Sequence, residues 1–268
     1  MPIRWTRARG RVNTRAMNVF PETQRFSSFD GQSIAWRELG AGPPVVLLHG
    51  LFSHAEMNWL KWGHARTVAD AGFRVILPDL RAHGASAAPH DPAAYPDDVL
   101  ARDIEALVAH LDLGVFDLGG YSLGARTTVR LIARGMRPRR AVLGGMGLEG
   151  ITRGLARRDF FADAIANPGA HKVGSGAWYS VQFARSTGTD LEAAVHLLRS
   201  FNDTGGEELA GFTMPTLIVC GVDDRDNGSA SALAAALPDA TLIEIPGNHV
   251  GAVTGPGLGR AIATFLAG

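Results

Sequence analysis

The sequence predicts an α/β protein with a mostly parallel central sheet and helices on both of its faces. Short apolar runs of strand length alternate with longer amphipathic stretches from about residue 25 to the end of the chain. Several of these runs, such as residues 45–48, are apolar at every position. Unbroken apolar strands that alternate with helices are typical of a parallel sheet covered on both sides.

The eight predicted strands follow the chain in order. The first two form a hairpin at Asp30-Gly31, a dipeptide that accepts the positive φ angle of a tight turn. The last six lie in the alternating region. The strands are residues 25–29, 34–38, 45–48, 73–77, 115–118, 141–143, 216–220 and 241–245.

Four helices are predicted between or after these strands. Residues 98–113 carry apolar side chains at spacings of three and four, which is the period of a helix that covers a core. The other three helices are residues 123–134, 229–237 and 258–266.

Residues 148–212 interrupt the alternation after the sixth strand. They contain two predicted helices, residues 155–165 and 191–201, separated by Gly/Ser-rich loops and the aromatic pair Trp178-Tyr179. We predict that this insertion is a small helical cap over the carboxyl edge of the sheet, where open α/β sheets bind ligands. Residues 25–147 and 213–268 then form one core.

The composition favours a single globular domain. The 268 residues include 46% hydrophobic and 19% charged side chains, which is enough apolar material for one large core. Lys and Arg together number 26, as do Asp and Glu, so the net charge is zero. This balance argues against nucleic acid or an anionic membrane as the main partner.

The amino-terminal segment is unlike the rest of the chain. Its first twenty residues carry five arginines and no acidic residue, and they lack the apolar centre of a secretory signal. We interpret residues 1–24 as a disordered basic arm, or as an over-long start with Met17 as the initiator. No apolar run reaches the ~18 residues that a membrane-spanning helix needs. The single cysteine, Cys220, excludes a disulfide framework, and we expect a cytoplasmic protein.

The motif that indicates chemistry is Gly120-Tyr121-Ser122-Leu123-Gly124, placed between a predicted strand and a predicted helix. Glycines two residues to either side allow strand and helix to approach, while the serine takes a strained conformation that exposes its hydroxyl. The alternative is a turn serine that caps the helix.

A serine nucleophile needs a base and an acid that orients the base. His249 follows the last predicted strand, and Asp224 follows the strand before it. The turn after the third strand, which contains Leu51, can supply a backbone amide to an oxyanion, paired with the amide of Leu123.

These segments and the loop after the fourth strand resemble the landmark motifs of the α/β-hydrolase fold family, in which the triad has the chain order Ser, Asp, His. The resemblance runs from about residue 25 to the carboxyl terminus. Its motifs are Leu48-His49-Gly50, Pro78-Asp79-Leu80-Arg81-Ala82-His83-Gly84-Ala85-Ser86, Gly120-Tyr121-Ser122-Leu123-Gly124, Gly221-Val222-Asp223-Asp224 and Gly247-Asn248-His249.

The chain departs from the family pattern near the acid. Relatives often have a proline shortly after it, where this chain has Asp226-Asn227-Gly228. Asp223 and Asp226 therefore remain rivals of Asp224. Glu149 is the outside alternative, because some relatives place the acid after the sixth strand.

The resemblance implies a serine esterase that cleaves a carboxylic ester through an acyl-enzyme, and we expect no cofactor. The cap is long enough for only a few short helices, so we expect small or medium acyl chains. No acid or cysteine completes a metal site at ligand spacing. His49, Arg81 and His83 are interpreted as turn residues. Whether the chain forms a homodimer is left open. The residues expected to contact substrate are Phe52, Tyr121, Arg126, Trp178 and Tyr179, with Phe183 as a further wall residue.

Three other functions stay under consideration. The turn at Ser122, with Arg126 one helical turn after the serine, is similar to that of the menaquinone-pathway synthase that eliminates pyruvate. In that synthase, such an arginine binds a carboxylate. Arginines of the cap, Arg153, Arg157 and Arg158, could extend an anion site, although a solvated helix face is the simpler interpretation. The other two functions are a carbon–carbon bond hydrolase and a non-catalytic ligand receptor.

Overall fold

A computed structural model describes residues 20–268, so residues 1–19 of the predicted basic arm lie outside the described residues. Eight strands form one sheet. They are β1 (Gln24–Ser27), β2 (Ser33–Leu39), β3 (Pro44–Leu48), β4 (Arg74–Pro78), β5 (Asp117–Tyr121), β6 (Ala141–Gly144), β7 (Thr216–Gly221) and β8 (Ala240–Ile245).

The strands lie in the order β1-β2-β4-β3-β5-β6-β7-β8. Strand β2 pairs antiparallel with both β1 and β4, and all the other neighbours are parallel. Gly31, in the turn of the β1–β2 hairpin, has φ 84° as the sequence predicts. Because β3 to β8 are parallel, their carboxyl ends share one edge, and every strand that carries a predicted catalytic residue ends there.

Eleven α-helices connect or follow the strands of residues 20–268, and none is long and apolar enough to cross a bilayer. Six belong to the core and five to the insertion after β6. The core helices are α1 (His64–Asp70), α2 (Val99–His110), α3 (Leu123–Ala133), α9 (Ala230–Ala236), α10 (His249–Thr254) and α11 (Gly257–Ala267). The insertion holds α4 (Leu148–Thr152), α5 (Leu155–Ala166), α6 (Gly176–Ser186), α7 (Leu191–Arg199) and α8 (Gly206–Leu209).

Both faces of the sheet are buried, and successive side chains of β3 point to opposite faces. Val45 and Leu47 pack with residues of α1 and α11, whereas Val46 and Leu48 pack with α2 on the other face. Each of these four side chains is fully buried. An apolar strand without polar alternation is what a sheet covered on both sides requires.

The insertion is more helical than the sequence predicts. Residues 176–186, expected as loop with an aromatic pair, form α6, and Ser175 caps its amino terminus by accepting a hydrogen bond from the amide of Trp178. The flanking glycines and serines, which indicate a loop, lie at the helix ends. Helices α5, α6 and α7 pack together, and their buried cluster includes Phe52 from the turn after β3.

Two further differences lie beside the predicted site. The fifth strand is displaced toward the carboxyl end, so β5 runs through Gly119-Gly120 directly into Ser122. A Cβ atom on Gly119 would lie 2.6 Å from Cβ of Val142, so the close β5–β6 pairing requires glycine. In addition, His249 is the first residue of α10 rather than part of a loop.

Candidate active site

Ser122 occupies a strained junction between β5 and α3. Its backbone has φ 54° and ψ −111°, and its amide donates a hydrogen bond to the carbonyl of Gly144 at 2.8 Å. A Cβ atom on Gly120 would lie 2.4 Å from the carbonyl carbon of Gly124, and one on Gly124 would lie 2.1 Å from the carbonyl oxygen of Leu48. Only glycine fits at either position, so the spacing of the pentapeptide follows from the packing of the turn.

The side chains of His249 and Asp224 form a hydrogen-bonded pair. Nδ1 of His249 lies 2.7 Å from Oδ2 of Asp224. Because an ionised carboxylate can only accept, Nδ1 carries the proton and Nε2 is left as the acceptor nitrogen. Asn248 caps α10 by accepting from the amide of Gly251, and this holds His249 at the first position of the helix.

The environment of Asp224 keeps its carboxyl ionised. Burial by itself raises the pKa, but hydrogen bonds from His249 and from the amide of Asp226 outweigh it, and the pKa of Asp224 lies below its ordinary value. The residue is 4% exposed. A buried carboxylate that accepts from a histidine can fix the tautomer of that histidine.

The alternative acids have other partners. Asp223 is exposed and makes no hydrogen bond with His249. Asp226 is also exposed, and it pairs with Arg157 of α5 at 3.0 Å. Oε2 of Glu149 accepts the amide of Ser229 at 2.8 Å. In the described part of the chain, Asp224 is the only one of the four carboxylates that contacts the histidine.

Ser122 and His249 line the same cavity, of about 820 Å³. The side chain of His249 is hydrogen-bonded to Asp224 and not to Ser122. Contacts between a serine and its base are often long without substrate and tighten in the Michaelis complex. Ser122 and His249 therefore share one site.

Two backbone amides are available beside Ser122. The amides of Leu51 and Leu123 donate no hydrogen bond to any of residues 20–268. Leu123 is the first residue of α3, where amides have no partner within the helix. Both residues line the cavity. The cavity beside Ser122 therefore has two backbone donors without a protein partner, the kind of group that can stabilise a developing negative charge.

The cavity wall is mainly aromatic and aliphatic. Of the residues predicted to contact substrate, Phe52, Tyr121, Arg126 and Tyr179 line it, as does Phe183. The sequence did not point to several other lining residues, although Val250 follows the base directly and Phe160-Phe161 form an aromatic pair. These further residues are Met57, Asn58, Trp62, Met146, Phe160, Phe161, Leu198, Phe201, Asn227, Val250 and Val253.

Trp178, which the sequence predicts to contact substrate, does not line the cavity. The reason is the helix that the sequence did not predict. On α6, the lining residues Gly176, Tyr179, Ser180 and Phe183 follow the spacing of three and four that places side chains on one face. Trp178 lies off that face and packs edge-to-face on Tyr179, with ring centres 5.0 Å apart.

Arg126 lines the cavity, and its guanidinium group is bonded to protein oxygens. Its Nη1 donates to the carbonyl of Gly150, and its Nη2 donates to the carbonyl of Asn202 and to Oδ1 of Asp203. Asp203 lies 2.8 Å away and neutralises the charge. Arg126 therefore fastens α3 to the insertion, and its terminal nitrogens already have protein partners.

Tyr121 lines the cavity, but its hydroxyl already has a protein partner. That hydroxyl donates to the backbone carbonyl of His249 at 2.6 Å, and the two rings lie 5.2 Å apart. Burial raises the pKa of Tyr121 far above its ordinary value, so the hydroxyl stays a donor. The residue before the candidate nucleophile thus supports the backbone of the candidate base.

The mouth of the cavity is unusually apolar. Five large hydrophobic side chains that line it are also exposed to solvent: Trp62, Phe160, Tyr179, Phe183 and Val250. Exposed apolar side chains that cluster at a cleft indicate a binding surface. Across residues 20–268, no three His, Cys, Asp or Glu side chains come close enough to hold a metal ion.

Comparison with known proteins gives one family model, described as alpha/beta hydrolase fold, which matches residues 43–143. The chain is 29% identical to non-heme chloroperoxidase CPO-A1 of Kitasatospora aureofaciens, over 85% of this chain and 92% of that protein. An epoxide hydrolase of Caballeronia sordidicola is 35% identical over 47% of this chain. That protein and six other relatives are covered over only 30–37% of their length.

Solved structures share the architecture across the chain. A hydrolase from Pseudomonas aeruginosa matches with a TM-score of 0.75 at 22% identity, covering 92% of this chain and 98% of its own. An esterase from Exiguobacterium antarcticum matches with a TM-score of 0.74 at 18% identity, covering 92% of this chain and all of its own. At these identities the likeness shows the fold alone.

Proposed function

Since this chain belongs to the α/β-hydrolase fold family, we propose that it is a serine hydrolase that cleaves carboxylic esters of small or medium acyl chain. One observation carries the proposal: a serine in a strained elbow shares a cavity with a histidine whose Nδ1 lies 2.7 Å from a buried carboxylate. Ser122 is the nucleophile, His249 the general base and Asp224 the residue that orients the base.

The proposed reaction has two halves. In the first, Nε2 of His249 accepts the proton of Ser122 as its oxygen attacks the ester carbonyl, and the amides of Leu51 and Leu123 stabilise the tetrahedral oxyanion. Collapse of this intermediate expels the alcohol, which takes the proton from His249. In the second half, water attacks the acyl-enzyme by the same route and releases the acid.

The substrate class follows from the wall of the cavity. The surface near Ser122 includes apolar side chains such as Phe52 and Met146. Three arginines also line the cavity, and each is paired with a carboxylate: Arg126, Arg157 and Arg158. An apolar cleft of about 820 Å³ lies in the range that takes small organic ligands. These features support an uncharged ester as substrate.

The pyruvate-eliminating lyase is less well supported. That reaction needs an arginine free to hold a carboxylate, whereas Arg126 already donates to three protein oxygens. The length of the match to a non-heme chloroperoxidase favours halide oxidation as a second candidate. Halogenation of a dye in the presence of peroxide and halide tests it, with Ser122→Ala to show whether the same site is responsible.

The experiment for the main proposal is a series of p-nitrophenyl esters, assayed with the wild type, Ser122→Ala and Ser186→Ala. Ser186 is an exposed serine whose hydroxyl bonds only to the carbonyl of Phe183 in its own helix. We expect Ser186→Ala to behave as the wild type and Ser122→Ala to lose activity by about 10⁴-fold or more. Near-full activity of Ser122→Ala would overturn the proposal.

A further inference from the structure

Three consecutive amides in the turn after β3 have different partners. The amide of Gly50 donates to Oδ1 of Asn58 at 3.0 Å, and the amide of Phe52 donates to Nε2 of His83 at 3.0 Å. Between them, the amide of Leu51 has no partner in residues 20–268. Side chains from two separate segments therefore hold the flanking amides and leave the middle one unpaired.

The backbone of this turn is strained. Phe52 has φ 57°, in the left-handed region that a non-glycine residue adopts only at a cost in free energy. Such a conformation persists only where its surroundings impose it. Here the hydrogen bond to His83 holds the amide, and the ring of Phe52 is buried in the cluster of α5, α6 and α7, 5.8 Å from the ring of Phe161.

The two side chains that hold the turn are buried, and the ring of His83 has a second backbone contact. His83 is 1% exposed, and its Nδ1 donates to the carbonyl of Arg81 at 3.0 Å, which leaves Nε2 as an acceptor. Burial lowers the pKa of His83 to about 3, so the ring stays neutral near neutral pH. Asn58 is 4% exposed and lines the cavity, and its bond to Gly50 sets the orientation of its amide group.

We infer that Asn58 and His83 are positioning residues that hold the turn so that the Leu51 amide stays available as an oxyanion donor. This inference rests on the proposed function. His83 does not line the cavity, and Oδ1 of Asn58 already accepts the amide of Gly50. Each side chain withdraws one neighbouring amide from competition and fixes the backbone on one side of Leu51. Preorganised donors stabilise a transition state because they need no rearrangement as charge develops.

The test compares variants that remove the acceptor with variants that keep one. Asn58→Leu and His83→Leu leave an amide without a partner, whereas Asn58→Asp and His83→Gln retain an oxygen at a similar reach. Thr216→Val serves as the control for general destabilisation, because it removes a buried hydroxyl bond to the carbonyl of Met214 at the opposite edge of the sheet. Melting temperature, kcat and KM for p-nitrophenyl butyrate, and affinity for a boronic acid are measured for each.

We expect each leucine variant to lower kcat by about 10- to 100-fold, below the effect of deleting a whole oxyanion donor, with little change in KM. Affinity for the boronic acid, which forms a tetrahedral adduct with the serine, falls in parallel, and His83→Gln recovers most of both losses. Thr216→Val lowers the melting temperature without lowering kcat. Leucine variants with wild-type kcat and boronate affinity would overturn the inference, as would losses matched by Thr216→Val.

Hydrogen exchange of the peptide that contains Gly50 and Phe52 separates this inference from the proposed function. We expect faster exchange in the leucine variants, whether or not the wild type cleaves esters. If the wild type does not cleave esters but the leucine variants still exchange faster, the result would support the role of Asn58 and His83 in holding the turn and reject the proposed reaction. Unchanged exchange in the leucine variants would show that Asn58 and His83 do not hold the turn.

Discussion

The hydroxyl of Tyr121 donates a hydrogen bond to the backbone carbonyl of His249 over 2.6 Å, across 128 positions of sequence. Tyr121 is the last residue of β5, and His249 is the first residue of α10. The contact ties the strand that presents the candidate nucleophile to the helix that presents the candidate base. Their separation therefore depends on a side chain that takes no part in the proposed chemistry.

We predict that Tyr121→Phe lowers kcat several-fold and leaves KM nearly unchanged, because the ring still fills its buried site while the base loses a backbone support. Loss of one hydrogen bond costs about 0.5–1.5 kcal/mol of net stability, so the melting temperature should fall by only a few degrees. Steady-state kinetics and thermal unfolding measure both effects. Wild-type kcat in this variant would show that the contact does not position the base.

A second prediction concerns the acid. Asp224→Asn should lower kcat by about 10⁴-fold, since an amide in place of the carboxylate favours the wrong histidine tautomer. Asp223→Asn and Asp226→Asn serve as matched controls, because both carboxylates are exposed and neither contacts His249. Kinetics of the three variants decide the assignment. A large loss in Asp226→Asn with little in Asp224→Asn would contradict it.

The dependence of stability on pH follows from two buried histidines. Burial lowers the pKa of both His49 and His83 from 6.5 to about 3. As the pH falls below about 6.5, the unfolded chain binds protons that the folded chain does not, so the free energy of unfolding decreases toward pH 3. Each histidine contributes up to about 1.4 kcal/mol per pH unit.

Urea unfolding between about pH 6.5 and 4.5 measures this slope. His83→Gln keeps an acceptor for the Phe52 amide but removes one titrating group, and we expect a slope gentler by up to one proton. Equal slopes in the variant and the wild type would mean that His83 is protonated in the folded protein.

The insertion is predicted to set the preference for acyl chains, with activity highest for acetyl to hexanoyl esters. Phe183→Ala and Tyr179→Ala should change KM while leaving the melting temperature nearly unchanged, because both side chains line the cavity and are exposed at its mouth. Trp178→Ala, one residue along α6 but outside the lining, is the matched control. Efficient turnover of palmitoyl esters by the wild type would contradict this account.

The order of strands and helices could be predicted because apolar runs and amphipathic stretches depend on local periodicity. The strand-to-helix turn at Ser122 could be predicted equally well, since Gly120 and Gly124 are required by close contacts at this turn. Helix α6 was not, because its lining residues Tyr179 and Phe183 stand among glycines and serines that also occur in loops. With the helical period of 3.6 residues, Tyr179 and Phe183 fall on one face of this stretch, and Trp178 falls on another.

Contacts between distant segments were beyond the sequence. The partners of Arg126 lie in the insertion, and nothing local shows that Asp203 neutralises it. The link from His83 to the amide of Phe52 joins loops of different strands, and only the folded sheet brings them together. Such pairings depend on strand order, in which β4 lies between β2 and β3.

The central claim is that Ser122 becomes acylated, and trapping the acyl-enzyme tests it most directly. The wild type is mixed with p-nitrophenyl acetate, quenched in acid and digested, and the peptides are mapped by mass spectrometry, beside Ser122→Ala and His249→Ala. We predict one acetyl group on the peptide that contains Ser122, none in Ser122→Ala and much slower labelling in His249→Ala. An acetyl group on another residue during turnover, or undiminished turnover by Ser122→Ala, would contradict the account.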